Sequence, residues 1–234
     1  MRQGRNGIKV LGLMLIAALA VMAFTAAAAQ AGEYKINGST LTTLGLASES
    51  VEGTVAEGEL LVPGLSLNIN CKKGTFTGTI KKGGGASAKI LYSECEVLGN
   101  KFCKTYETKA NMESEVNAGN LVAEGSGEII LMGEKHYLLV SSGASPFTTV
   151  YFTKSTKGCT LPLEETVSGS TVFLLPTALT SLVTQTVETI PQATLETLFA
   201  TDILKYGNQT AWLDGGKTSV VLSGANKGKP WSGE

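Results

Sequence analysis

The sequence predicts an all-β protein, an antiparallel sandwich or flattened barrel with one short helix. Three observations carry that reading. Short runs of alternating apolar and polar residues recur along the chain, as half-buried strands require. Gly, Asn and Lys-Gly steps separate those runs. The composition agrees, since 28 glycines and only 6% aromatics in 234 residues suit short strands and tight turns.

Residues 1–31 read as a signal peptide. Arg2, Arg5 and Lys9 form a basic start, and Val10 to Ala29 is apolar except for Thr25. Ala29-Gln30-Ala31 fits the small-x-small rule, which places cleavage after Ala31. A retained anchor is the alternative, because about 20 apolar residues span a bilayer. The weakly hydrophobic Ala-rich end and the lack of a basic stop-transfer cluster argue against it. No cysteine stands at the cleavage point for lipid attachment, and no twin arginine is present. The expectation is a secreted or cell-envelope protein, with residues 32–234 as a single β-rich domain. Membrane contact is then confined to the signal segment before cleavage. The tail from Gly228 to Glu234 carries no sorting motif, so free secretion is expected.

Residues 32–234 keep all 20 acidic side chains and 16 of the 19 basic ones, a net charge of −4. That balance, with no dense basic cluster, argues against nucleic acid and anionic membrane surfaces as partners. Lys72-Lys73 and Lys81-Lys82 read as solvated hairpin ends. Asp202 and Asp214 are the only aspartates, too few for calcium loops, and His136 is the only histidine, which excludes multi-histidine metal sites. No cofactor is expected.

An even cysteine count in an exported chain implies a disulfide framework. Cys71, Cys95, Cys103 and Cys159 allow three connectivities. The favoured one is Cys71–Cys95 with Cys103–Cys159, because the first pair brackets a hairpin around Gly83-Gly84-Gly85. At period two, Leu65, Leu67, Ile69 and Cys71 share one face. Leu91, Cys95 and Val97 share another, and Cys159, Leu161 and Leu163 a third. Inward cysteines suit structural cross-links, and the absence of a C-x-x-C pair argues against a redox centre.

Strands are expected at Val51–Ala56, Leu65–Cys71, Thr75–Ile80, Ala88–Tyr92, Phe147–Phe152 and Thr171–Leu175. Ile129–Met132 and Tyr137–Val140 flank Gly133-Glu134-Lys135 as a hairpin buried on both faces. Ala211–Asp214 and Thr218–Leu222 flank Gly215-Gly216 as another. Leu195, Leu198 and Phe199, behind Pro191, predict the short helix over 191–200.

Candidate chemistry is sparse. Gly215-Gly216-Lys217-Thr218 matches the tail of a phosphate loop, but Ala211 stands where the motif needs glycine. His136 could act as a base, yet no G-x-S-x-G elbow exists. Glu94 with Glu96, and Glu113 with Glu115, read as solvated carboxylates rather than acid–base pairs. Tyr34, Tyr206, Trp212 and Trp231 form no sequence cluster of the kind that stacks on sugars. Asn37-Gly38-Ser39 and Asn208-Gln209-Thr210 match the glycosylation triplet, relevant only to a eukaryotic secretory route.

Leu204-Lys205-Tyr206-Gly207, the later Gly215, Val221-Leu222-Ser223-Gly224-Ala225, Gly228 and Trp231 resemble the C-terminal pattern of uncharacterised exported bacterial proteins. Cys71, Cys95, Cys103 and the phrase Cys159-Thr160-Leu161-Pro162 are also similar to that group. The resemblance implies a fold and no activity, and it transfers no site residue.

The leading expectation is a non-catalytic extracellular or envelope protein that binds an unknown protein or surface partner or serves structurally. A second is a β-barrel carrier of a small apolar ligand, with a cavity lined by residues such as Ile130, Leu138 and Val140. A third is a hydrolase in which His136 meets a carboxylate or hydroxyl in a cleft. The sequence leaves the oligomeric state open. Intact mass measured on protein recovered outside the cell should start at Gly32 and lie four hydrogens below the reduced mass. A mass that includes Met1 would instead identify a tethered protein.

Overall fold

The computed structural model describes residues 32–175, 182–190, 204–214 and 216–234. The signal segment, the helix expected over 191–200 and Gly215 lie outside them. In chain order the strands are β1 (Tyr34–Ile36), β2 (Ser39–Thr40), β3 (Ser48–Val55), β4 (Gly58–Val62), β5 (Leu67–Lys81) and β6 (Gly85–Val97). Next come β7 (Thr105–Tyr106), β8 (Leu121–Met132), β9 (Lys135–Ser141), β10 (Thr148–Phe152), β11 (Glu164–Ser168) and β12 (Ser170–Leu174). The last are β13 (Gln185–Thr189), β14 (Lys205–Tyr206), β15 (Gln209–Thr210), β16 (Trp212–Asp214), β17 (Lys217–Leu222) and β18 (Trp231–Gly233). The described residues contain one short α-helix, α1 (Lys109–Ser114), in a stretch with no amphipathic pattern to announce it. Thr108 caps it by accepting from the Asn111 N–H at 3.1 Å.

The architecture is a closed antiparallel barrel of eight strands, in the order β5-β3-β17-β13-β12-β9-β8-β6 and back to β5. Sequence reasoning left sandwich and barrel open, and both are present. One end of the barrel is closed by the small sheet β18-β1-β2, which buries Tyr34, Ile36, Leu41 and Trp231 against Ile80, Ile129 and Leu222. At the other end β5 and β6 run on past the barrel, joined by β4 and β16. That overhang packs on a second sheet, β15-β14-β11-β10-β7, around Leu60, Val62, Ile69, Val150, Phe152 and Tyr206.

The two cores share one sheet face because the alternation skips a residue at the same level in neighbouring strands. On β5 the buried positions run Leu67, Ile69, Cys71, then Gly74 and Ile80, with Lys72 and Lys73 both exposed at the step. On β6 Tyr92 faces the barrel and Cys95 and Val97 face the second core, across Ser93 and Glu94. Glu94 makes the step in a left-handed conformation (φ 55°), costing about 1–2 kcal/mol. Its carboxylate pairs with Lys73, and Lys72 pairs with Glu96 at 3.0 Å, so the step carries its own cross-strand ion pairs. Parity also changes between Val55 and Leu60, and between Leu213 and Thr218.

This step corrects several expectations. Leu91 lies outside, 37% exposed, because the step inverts the face it was expected to share with Cys95. β16 and β17 do not pair with each other as the expected hairpin. β16 pairs with β4, and β17 pairs with β3 and β13. Leu65 falls in a 3-10 turn and is exposed, and Leu163 is exposed beyond Pro162. The β8/β9 hairpin is apolar on both faces as expected. Ile129 and Leu138 face the barrel core, while Ile130, Met132, Tyr137 and Leu139 pack outside it with Val172 and Ile190.

The disulfides are Cys71–Cys95 and Cys103–Cys159, with no free cysteine. The first joins directly opposed residues of β5 and β6. The second ties the loop after β6 to the segment between β10 and β11. Each contributes about 2–4 kcal/mol by restricting the unfolded chain.

The capped end is latched by a buried carboxylate. Glu49, 6% exposed, accepts from the Asn226 N–H at 3.1 Å and from its Nδ2 at 2.9 Å. Lys229 in turn donates to Asn226 Oδ1 at 2.8 Å, which sets the loop that delivers β18. Glu49→Ala should lower stability in urea by about 1–3 kcal/mol with little change in m-value, since it strands buried donors. An unaltered midpoint would show that the latch is idle.

Candidate functional site

The barrel interior holds an apolar cavity of about 170 Å³. Its walls come from alternate residues of the barrel strands, including Phe76, Ala88, Ile90, Leu138 and Phe173, and at the open end from second-core residues such as Leu60 and Val150. Leu138 and Val140 are where the carrier reading put them. Ile130 is not, because it sits one residue out of phase and faces outward. The carboxylates at the cavity's edge turn away from it. Glu124 pairs with Lys89 at 2.7 Å on the exposed surface, and Glu59 accepts from Asn68 Nδ2.

Polar side chains on the inward face include Tyr34, Glu49 and Gln185 at the capped end, Tyr92 at the junction with the second core, and Thr171 and Thr218. Tyr92 lies in one cross-strand row with Gly74, Val55 and Thr218. Two glycines make room for its ring. A Cβ on Gly58 would lie 2.9 Å from Tyr92 Cε1, and one on Gly74 3.3 Å from Cδ1. Burial pushes the Tyr92 phenol up to about 12 and raises Tyr34 further. Tyr206, in the second core, is raised by burial and then by Glu165, and its hydroxyl has no partner.

The residues considered for catalysis do not converge. His136 sits on the β8/β9 hairpin, and its Nδ1 is buried without a partner. Ser232 is fully buried and donates to Glu234 at 3.2 Å. Lys35 holds the Glu234 carboxyl below the usual carboxylate range by hydrogen bonding, with burial opposing. Glu94, Glu96 and Glu115 are exposed and each pairs with a lysine. Lys217 and Thr218 lie in a strand, not at a helix start, so the phosphate-loop reading fails. Among the described residues no cluster of metal-binding side chains exists.

A second depression lies outside, around the loop that Cys103–Cys159 tethers. It holds about 780 Å³ and is lined by Lys72, Glu96, Leu98, Lys101 and Phe102 among others. The aromatics expected to bind sugar are separated. Tyr34 and Trp231 pack together in the cap with centroids 6.3 Å apart, Tyr206 is in the second core, and Trp212 is half-buried on β16. Asn37 and Asn208 are exposed in turns.

Comparison with protein families, with curated proteins and with solved structures finds no match. Site chemistry therefore rests on the geometry alone.

Titration of tyrosine absorbance should show Tyr34, Tyr92 and Tyr206 still protonated after pH passes the ordinary phenol value of about 10. Their stabilising contribution is full below that value and is lost as pH rises through the raised folded values. All six phenols of the sequence titrating together near 10 in folded protein would contradict this burial.

Proposed function

We propose that this is a non-catalytic extracytoplasmic carrier that holds a small apolar ligand inside its barrel. The observation behind the reading is the apolar cavity of about 170 Å³ within a closed wall. An engineered cavity of about 150 Å³ in another protein stays dry and takes up benzene, so this volume is enough for an apolar guest. The cavity owes its space to inward Ala86, Ala88 and Ala123, where a larger side chain would fill it. The export signal expected over residues 1–31 and the two disulfides support action outside the cytoplasm. Among the described residues no helix is long and apolar enough to cross a membrane.

A structural or protein-binding role is the second reading. It is favoured by Leu98 and Phe102, 46% and 54% exposed on the loop held by Cys103–Cys159. Fluorescent 1-aminoanthracene separates the two. It should bind wild type in the barrel and lose at least tenfold affinity in Ala88→Leu and Ala123→Leu, with the fold intact by circular dichroism. Native mass spectrometry should also show an apolar adduct that leaves on denaturation. Absence of both adduct and probe binding would leave the structural reading in place.

A further inference from the structure

We infer that the cavity selects a neutral apolar molecule with one hydroxyl or carbonyl oxygen, which accepts a hydrogen bond from the Tyr92 phenol. The inference rests on the carrier reading and specifies its ligand.

Tyr92 is half-buried and lines the cavity, and its hydroxyl makes no hydrogen bond to a described residue. A phenol O–H among apolar walls gains from an acceptor, and such groups normally find one. The residues shown against its ring are Gly58 and Gly74, which offer no side-chain acceptor. A ligand oxygen at this spot would supply one. Tyr34 repeats the arrangement at the capped end, 2% exposed and likewise without a partner for its hydroxyl.

The charge of the ligand follows from what is missing around the phenols. No lysine or arginine lines the cavity. The two glutamates at its edge are held outward by Lys89 and Asn68. An ionised carboxylate would therefore lose its water with no cation to replace it, a large cost in apolar surroundings. A neutral oxygen loses much less and regains a hydrogen bond. The shape is elongated. From Ala86 at the capped end to Tyr92 at the junction, β6 advances about 20 Å, less the tilt of the strand.

Thermal-shift and native mass titrations with 1-decanol, n-decane and decanoate at pH 8 test this on the full exported protein. Wild type should prefer decanol to decane and bind decanoate weakest. Tyr92→Phe should weaken decanol roughly three- to tenfold, the worth of one neutral hydrogen bond, and leave decane unchanged. Retained decane binding also shows that the variant's barrel is intact. Equal decanol affinity in wild type and variant, or tightest binding of decanoate, would overturn the inference while leaving the carrier reading standing. Binding of no probe by wild type would remove both.

Discussion

The fold depends on the pairing of β5 with β6. These strands lie in continuous register from Ile69 against Val97 to Ile80 against Ala86. Without that ladder the sheet would be open, with β5 and β6 each presenting backbone groups as a free edge. The hairpin is local in sequence, so its loop closure is entropically inexpensive, and the long-range pairs can assemble on it. Cys71–Cys95 locks the same ladder at its far end. The opposite seam is much thinner. Among the described residues, β12 meets β13 only at Phe173 with Thr189 and Leu174 with Glu188. The barrel is therefore strongest where it begins and weakest where it closes on the later strands.

The skipped residue in each strand is the second constraint. A strand of strict period two would carry Leu67, Ile69 and Cys71 to the face opposite Phe76 and Ile80. The double step at Lys72-Lys73 keeps all of them on one face, and the matching step at Ser93-Glu94 keeps the register with β6. The barrel lining thus continues into the second core. Tyr92 sits at this transition, where the glycines of the neighbouring strands leave a shallow floor for its ring.

All-β character, most strand positions and the favoured disulfide pairing were legible because period-two alternation and glycine turns are local signals. The barrel's closure was not, since it depends on pairings such as Val55 with Thr218, far apart in sequence. Leu91 was misplaced because a step in alternation looks like noise unless the partner strand is known to step too. The clue was present in Lys72-Lys73, two adjacent charged residues inside an otherwise alternating run. The cavity was only partly legible. Leu138 and Val140 follow from alternation on β9, but nothing local shows that Ala86, Ala88 and Ala123 line one wall of an empty space. Tyr92 was missed as a site residue because a single tyrosine in a strand carries no motif.

The cavity also bears on function through its cost. At about 24 cal/mol per Å³, an empty volume of about 170 Å³ forgoes about 4 kcal/mol of packing. That is a large share of the 5–15 kcal/mol by which native domains are stable. Two disulfides at about 2–4 kcal/mol each are of the size needed to offset it. A protein with only a structural task would gain from a leucine at Ala88 or Ala123. A protein that must admit a guest has to leave that space, and the guest recovers part of the lost packing when bound. The balance of forces thus supports a barrel kept under-filled for a ligand, with its stability drawn from the cross-linked β5–β6 ladder rather than from a complete core.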